Sequence, residues 1–177
     1  MTDEELEAFL GLLKGAGWKV ELAGDGGGGE LNESFRRRYP RIPDDYQKFL
    51  RRVAACEHDS GNIWFLCADY YNGAGRTPET WNEFEQLSLE ATGDDERWAA
   101  EVRGFWDKHL PFMMSARGDY AYLGFRVTGD DFGSVVDGYD IDFEGVTDVA
   151  PDFAAFVRAY SAALRGEGDD SIPPEYF

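Results

Sequence analysis

Cysteine and histidine are scarce in this chain, with two of each in 177 residues. Cys56 and Cys67 are too few for a disulfide framework, and a domain of this length buries roughly 70% of its unfolded surface without one. Both thiols are expected to be free, in a reducing compartment, and to serve packing. With His58 and His109 they could supply four zinc donors. Their spacing gives no compact ligand pair at both ends of that set, so no metal site is assigned. Two histidines, no Gly-x-Ser-x-Gly elbow and no visible Cys–His pairing leave nucleophilic catalysis without a motif. Long apolar runs are missing too. None approaches the ~20 residues that span a bilayer, and the acidic opening Met1 to Phe9 lacks the apolar core of a signal peptide. A soluble cytoplasmic protein with no membrane contact is expected.

Positive charge is the other shortage. Lys and Arg number 17 against 35 Asp and Glu, a net charge of −18, which argues against direct nucleic-acid binding. Between Val127 and Val157 there is no Lys or Arg, but eight acids stand there: Asp130, Asp131, Asp137, Asp140, Asp142, Glu144, Asp148 and Asp152. Phe132, Val135, Val136, Tyr139, Ile141 and Phe143 are interleaved with them. Apolar residues at that density can be buried, unlike those of a disordered acidic tail, so the carboxylates are expected on a fixed surface that suits a basic partner.

Local patterns give the elements. Thr2 with Glu5 forms a capping box, Leu6, Phe9, Leu10 and Leu13 follow a helical period, and Gly15 marks the end. Trp18, Val20 and Leu22 alternate as a short strand. Gly24 to Gly29 lacks the Lys and Ser/Thr of a phosphate loop and reads as a connector. A short helix is expected within Leu31 to Tyr39. Pro43, Asp44 and Asp45 start another, with Tyr46, Phe49, Leu50 and Val53 on one face and Lys48, Arg51 and Arg52 on wetter ones. Ile63 to Cys67 suits a buried strand, with Cys56 near a helix terminus and Ala68 to Pro78 a loop. Helices follow at Glu79 to Ala91 and Asp94 to Lys108, where Trp81, Trp98 and Trp106 read as core. Leu110 to Ala116, Tyr120 to Val127 and Gly133 to Tyr139 read as three meandering strands. Asp119 reads as a turn residue accepting backbone hydrogen bonds. Pro151 and Asp152 open the last helix, carrying Phe153, Phe156, Val157, Tyr160 and Leu164.

Asp140, Asp142, Glu144 and Gly145 copy half of a calcium loop. Pro151 stands where the closing Glu is needed, so calcium is not assigned, and an acidic edge with Ile141 and Phe143 facing inward fits better. The elements predict an α+β fold, a single antiparallel sheet with helices packed against one side of it. Residues 1–165 form one domain, and 166–177 a tail or a strap that docks Ile172, Tyr176 and Phe177.

Three stretches carry a resemblance to the SUKH superfamily, which includes a fungal cell-wall-assembly regulator and many bacterial toxin-immunity proteins. They are Arg41-Ile-Pro-Asp-Asp-Tyr-Gln-Lys-Phe-Leu50, the hairpin from Leu110-Pro-Phe to Gly118-Asp119-Tyr120-Ala-Tyr-Leu123, and Val149-Ala-Pro-Asp-Phe-Ala-Ala-Phe156. Gly24 to Gly29 and the long stretch Tyr70 to Lys108 depart from the pattern. The resemblance implies a SUKH-like fold without a catalytic centre or cofactor, and neutralisation of a cognate toxin by protein contact. A nuclease toxin, with its positive cleft, would suit an acidic inhibitor. The surface expected to bind it comprises Asp130, Asp131, Asp137, Tyr139, Asp140, Asp142 and Glu144, with the protein acting as a monomer. A regulatory scaffold for an endogenous basic protein is the alternative, followed by an uncharacterised enzyme.

Overall fold

A computed structural model describes residues 1–24, 30–73, 82–139, 142–168 and 171–177. The chain opens with helix α1 (Asp3–Gly15), where the Thr2 hydroxyl accepts from the Glu5 amide at 3.1 Å and the Glu5 carboxylate from the Thr2 amide at 2.6 Å. Strand β1 (Trp18–Leu22) follows, then α2 (Glu33–Arg38) and α3 (Asp44–Arg52). Next come β2 (Val53–His58), β3 (Ile63–Phe65) and the short α4 (Ala68–Tyr71). The helices α5 (Glu83–Ala91) and α6 (Glu96–Trp106) precede a meander of β4 (His109–Ser115), β5 (Ala121–Arg126), β6 (Val135–Tyr139) and β7 (Asp142–Ala150). Helix α7 (Phe153–Leu164) starts where the Asp152 side chain accepts from the Ala155 amide, and a 3₁₀ turn spans Pro174–Tyr176. Trp81, Asp140 and Ile141 lie outside the described residues.

The seven strands form one antiparallel sheet in sequence order, β1 to β7. Two of them differ from expectation. Val53 ends the helical apolar stripe but is itself extended (φ −119°, ψ 121°), so α3 runs straight into β2 without a turn residue. Cys56 therefore sits within a strand, and its periodicity was masked by the helix before it. Strand β7 shows in the sequence only as an acidic edge, because its turn and glycine interrupt the alternation.

Helices cover both faces of the sheet, not one. On one face Phe125 packs against Tyr46 of α3 and Phe153 of α7, with centroids 5.0 and 5.7 Å apart, and Phe9 of α1 meets Phe65 at 6.2 Å. On the other, Tyr122 lies 5.2 Å from Trp106 of α6 and 5.0 Å from Phe84 of α5. The reason is local: β4, β5 and β6 are buried along nearly their whole length, which leaves no polar face for water. Gly138 lets Tyr122 lie flat across β6, since a Cβ there would stand 2.5 Å from the ring.

The chain end packs back on the first of these faces. Tyr176 is fully buried, Ile172 nearly so, and Phe177 stacks on Tyr160 at 4.8 Å. The Ser115 hydroxyl donates to the Glu175 carbonyl at 2.7 Å, and that of Tyr160 to the Tyr176 carbonyl.

Candidate protein-binding surface

An antiparallel meander sends alternate turns to opposite ends of the sheet. Ser115 pairs with Ile63 and with Ala121, and Ala121 pairs with Tyr139, so the β2–β3, β4–β5 and β6–β7 connections share one end. The β5–β6 turn, carrying Asp130 and Asp131, lies at the other. Strand β6 has five residues, which puts roughly 17 Å between those aspartates and Tyr139. The acidic stretch is thus two sites, not one edge.

At the β5–β6 end the acids are tied down. Arg126 Nε meets Asp131 at 3.0 Å, while its Nη1 donates to the Ser134 hydroxyl at 3.1 Å and to the Asp148 carboxylate. These groups line a cleft of about 410 Å³ with Val149, Ala150 and Pro151. The Arg41 guanidinium lies 4.2 Å over the Phe132 ring, closing the turn against the start of α3. Asp130 is exposed, and among the described residues it makes no hydrogen bond or ion pair.

Asp137, in the middle of β6, is a correction to the predicted surface. It is only 5% exposed and accepts from the Tyr176 hydroxyl at 2.6 Å. Burial pushes its carboxyl above the ordinary range, with the Glu175 charge adding to the rise and the Tyr176 hydrogen bond opposing it. A strand residue between Val136 and Gly138 points to one face, and here that face is covered by the chain end. Sequence alternation could not show this cover.

Glu144 is also drawn inward. Pairing steps from Asp137–Thr147 to Tyr139–Asp142, so the single residue Gly138 faces four residues of β7, Phe143 to Val146. Such a bulge re-aims side chains. Phe143 turns onto Phe84 at 4.9 Å, its carbonyl accepts from the Tyr122 hydroxyl at 2.7 Å, and the Glu144 carboxylate accepts from the Trp106 indole at 3.2 Å.

Tyr139 and Asp142 remain at the turn end, paired directly across the β6–β7 hairpin. Tyr139 is 53% exposed, the highest among the exposed large apolar side chains of the described residues. Asp142 is exposed, and its Oδ1 accepts from the Gly145 amide at 3.1 Å. Asp119 and Tyr120 share this end of the sheet. Asp119 stands in the β4–β5 turn, but among the described residues it accepts no hydrogen bond, and the Ser115 hydroxyl accepts from the Arg117 amide at 3.2 Å. The two described tryptophans of the predicted core trio diverge as well. Trp106 is fully buried, whereas Trp98 is 47% exposed on α6.

Among the described residues no group of three or more His, Cys, Asp or Glu could hold a metal ion. Burial pushes the Cys67 thiol up to about 12 and that of Cys56 higher still, so neither is poised as a nucleophile. His109 is likewise spent on structure, stacking on Phe105 at 3.9 Å with Nδ1 3.0 Å from the Phe105 carbonyl. Among the described residues no helix is long and apolar enough to cross a membrane.

The model of the SMI1/KNR4 family (SUKH-1) matches this chain over residues 4–159. The chain belongs to that family. No curated protein sequence gives a match. The SUKH-1 match takes in α1 through most of α7, and with them Tyr139 and Asp142. The strap that covers Asp137 lies beyond it.

Proposed function

We propose that this SUKH-1 protein is an immunity-type binder that neutralises a cognate toxin by one-to-one contact in the cytoplasm. The family includes toxin-immunity proteins. The observation that carries the reading for this chain is its charge: −18 on a folded surface, with acids at both ends of the β6–β7 hairpin. Such a field steers a basic partner into encounter and raises the association rate. A nuclease toxin fits, because its cleft must be positive to hold its substrate.

Co-expression with the toxin of the adjacent reading frame tests this. Cells should survive only when the protein is present, and the association rate of the purified pair should fall steeply between low and physiological salt, where the Debye length is about 8 Å. A protein that gives no protection is not an immunity protein, and a regulatory scaffold for an endogenous basic protein then becomes the better reading.

A further inference from the structure

We propose that Tyr139 and Asp142 form a receptor for one arginine side chain of the protein partner, the guanidinium lying on the Tyr139 ring with its edge on the Asp142 carboxylate. The proposal rests on the protein-binding reading above and names its contact point.

The two residues are direct cross-strand partners, which puts their Cβ atoms about 4.5–5.5 Å apart on one face of the hairpin. An exposed ring beside an exposed carboxylate meets both requirements of a guanidinium, which stacks on aromatic faces and donates from its edge. Asp142 is held in place beforehand. Its Oδ1 accepts the Gly145 amide, and position 145 has no Cβ, which would stand 2.9 Å from Oδ2. A carboxylate already oriented loses less freedom when the guest arrives. Among the described residues the Tyr139 ring and hydroxyl have no hydrogen bond or ring contact, so nothing within them competes for this ring.

The other described acids of the predicted surface lack this combination. Asp131 and Asp148 already share Arg126, Asp137 is sealed beneath Tyr176, and Glu144 is taken by Trp106. Arg126 between its two acids shows the same recognition satisfied from within the chain. Charge selects the occupant at the turn end: nucleic acid and anionic lipid surfaces are repelled by a chain of net charge −18.

The test is an NMR titration of the full chain with N-acetyl-arginine amide, using N-acetyl-citrulline amide as the uncharged isostere. Saturable shifts should centre on Tyr139 and Asp142 with arginine and be absent with citrulline. Tyr139→Ala and Asp142→Asn should each weaken the arginine probe by about three- to fivefold, the range of an exposed cation–ring contact, while Glu4→Gln on the exposed face of α1, outside the acidic stretch, changes nothing. Thermal melting confirms that each variant is folded. Shifts spread evenly over the acidic surface, or unchanged in Tyr139→Ala, overturn the proposal. So do concentration-dependent Tyr139 shifts without probe, which would make a second copy of the chain the occupant. The two readings separate in cells: a Tyr139→Ala variant that protects as well as wild type removes the arginine receptor and leaves the immunity function. Conversely, a wild type that binds the probe at Tyr139 but gives no protection removes the immunity function alone.

Discussion

At one end of β6 the carboxylates of Asp131 and Asp148 close on Arg126. At the other, Asp142 pairs across the hairpin with the exposed Tyr139, and among the described residues its carboxylate meets only a backbone amide. Among the described residues, the difference between the two ends is one cation paired with the acids. Where β5 ends in Arg126, the acids become part of the fold's own wiring. Where β5 begins at Ala121, opposite Tyr139, no ion pair closes on Asp142 among the described residues and its carboxylate stays available. Acidity in a sequence therefore marks a binding surface only after internal partners have been subtracted.

The largest expected effect lies between the two ends, where β6 is sealed. Tyr176→Ala should cost about 3–5 kcal/mol, because it empties a buried aromatic site and leaves Asp137 without its donor. Urea unfolding would show it, and a loss near zero would mean that the chain end does not seal the sheet. Gly138→Ala should cost about 1–3 kcal/mol, since the new Cβ collides with the Tyr122 ring and overpacks the α5–α6 side. At roughly 2–4 °C per kcal/mol a melting scan resolves it.

The ends themselves should differ in kind. Arg126→Gln should lower stability by about 1 kcal/mol at low salt, with the loss shrinking at 1 M salt as the exposed acids are screened. Tyr139→Ala and Asp142→Asn should each stay within about 0.5 kcal/mol of wild type, since both side chains are exposed and the amide oxygen of Asn can still accept from the Gly145 amide. Equal losses at both ends would erase the distinction.

The smallest effect is a pH profile. Because the folded state holds the Asp137 proton more tightly than the unfolded chain does, its contribution to stability is greatest at low pH. It is lost as pH rises from about 3.9, the ordinary Asp value, through the raised folded value. Asp137→Asn cannot titrate, so its stability relative to wild type should climb across that window. A flat difference would show that Asp137 ionises as if in water.

Much of the fold was legible because helix ends and apolar periods are local. Thr2 with Glu5, Pro43 with its two aspartates, and Asp152 all stand within a turn of the helices they start. Strand β2 was not legible, because Val53 completes a helical stripe and begins a strand at once. The candidate surface was legible only as composition. Asp137, Glu144 and Asp148 look alike in sequence, yet one meets a tyrosine, one an indole and one an arginine, each at least 22 positions distant in the chain.

Sequence alone determined the α+β class, the antiparallel meander and the charge of −18, since capping, period and net charge are sums over neighbouring residues or over composition. Tertiary structure alone decided which carboxylates are left for a partner. A buried carboxylate finds its hydrogen-bond donor in space, so Arg126, Trp106 and Tyr176 had to be placed before Tyr139 and Asp142 could be seen to stand apart.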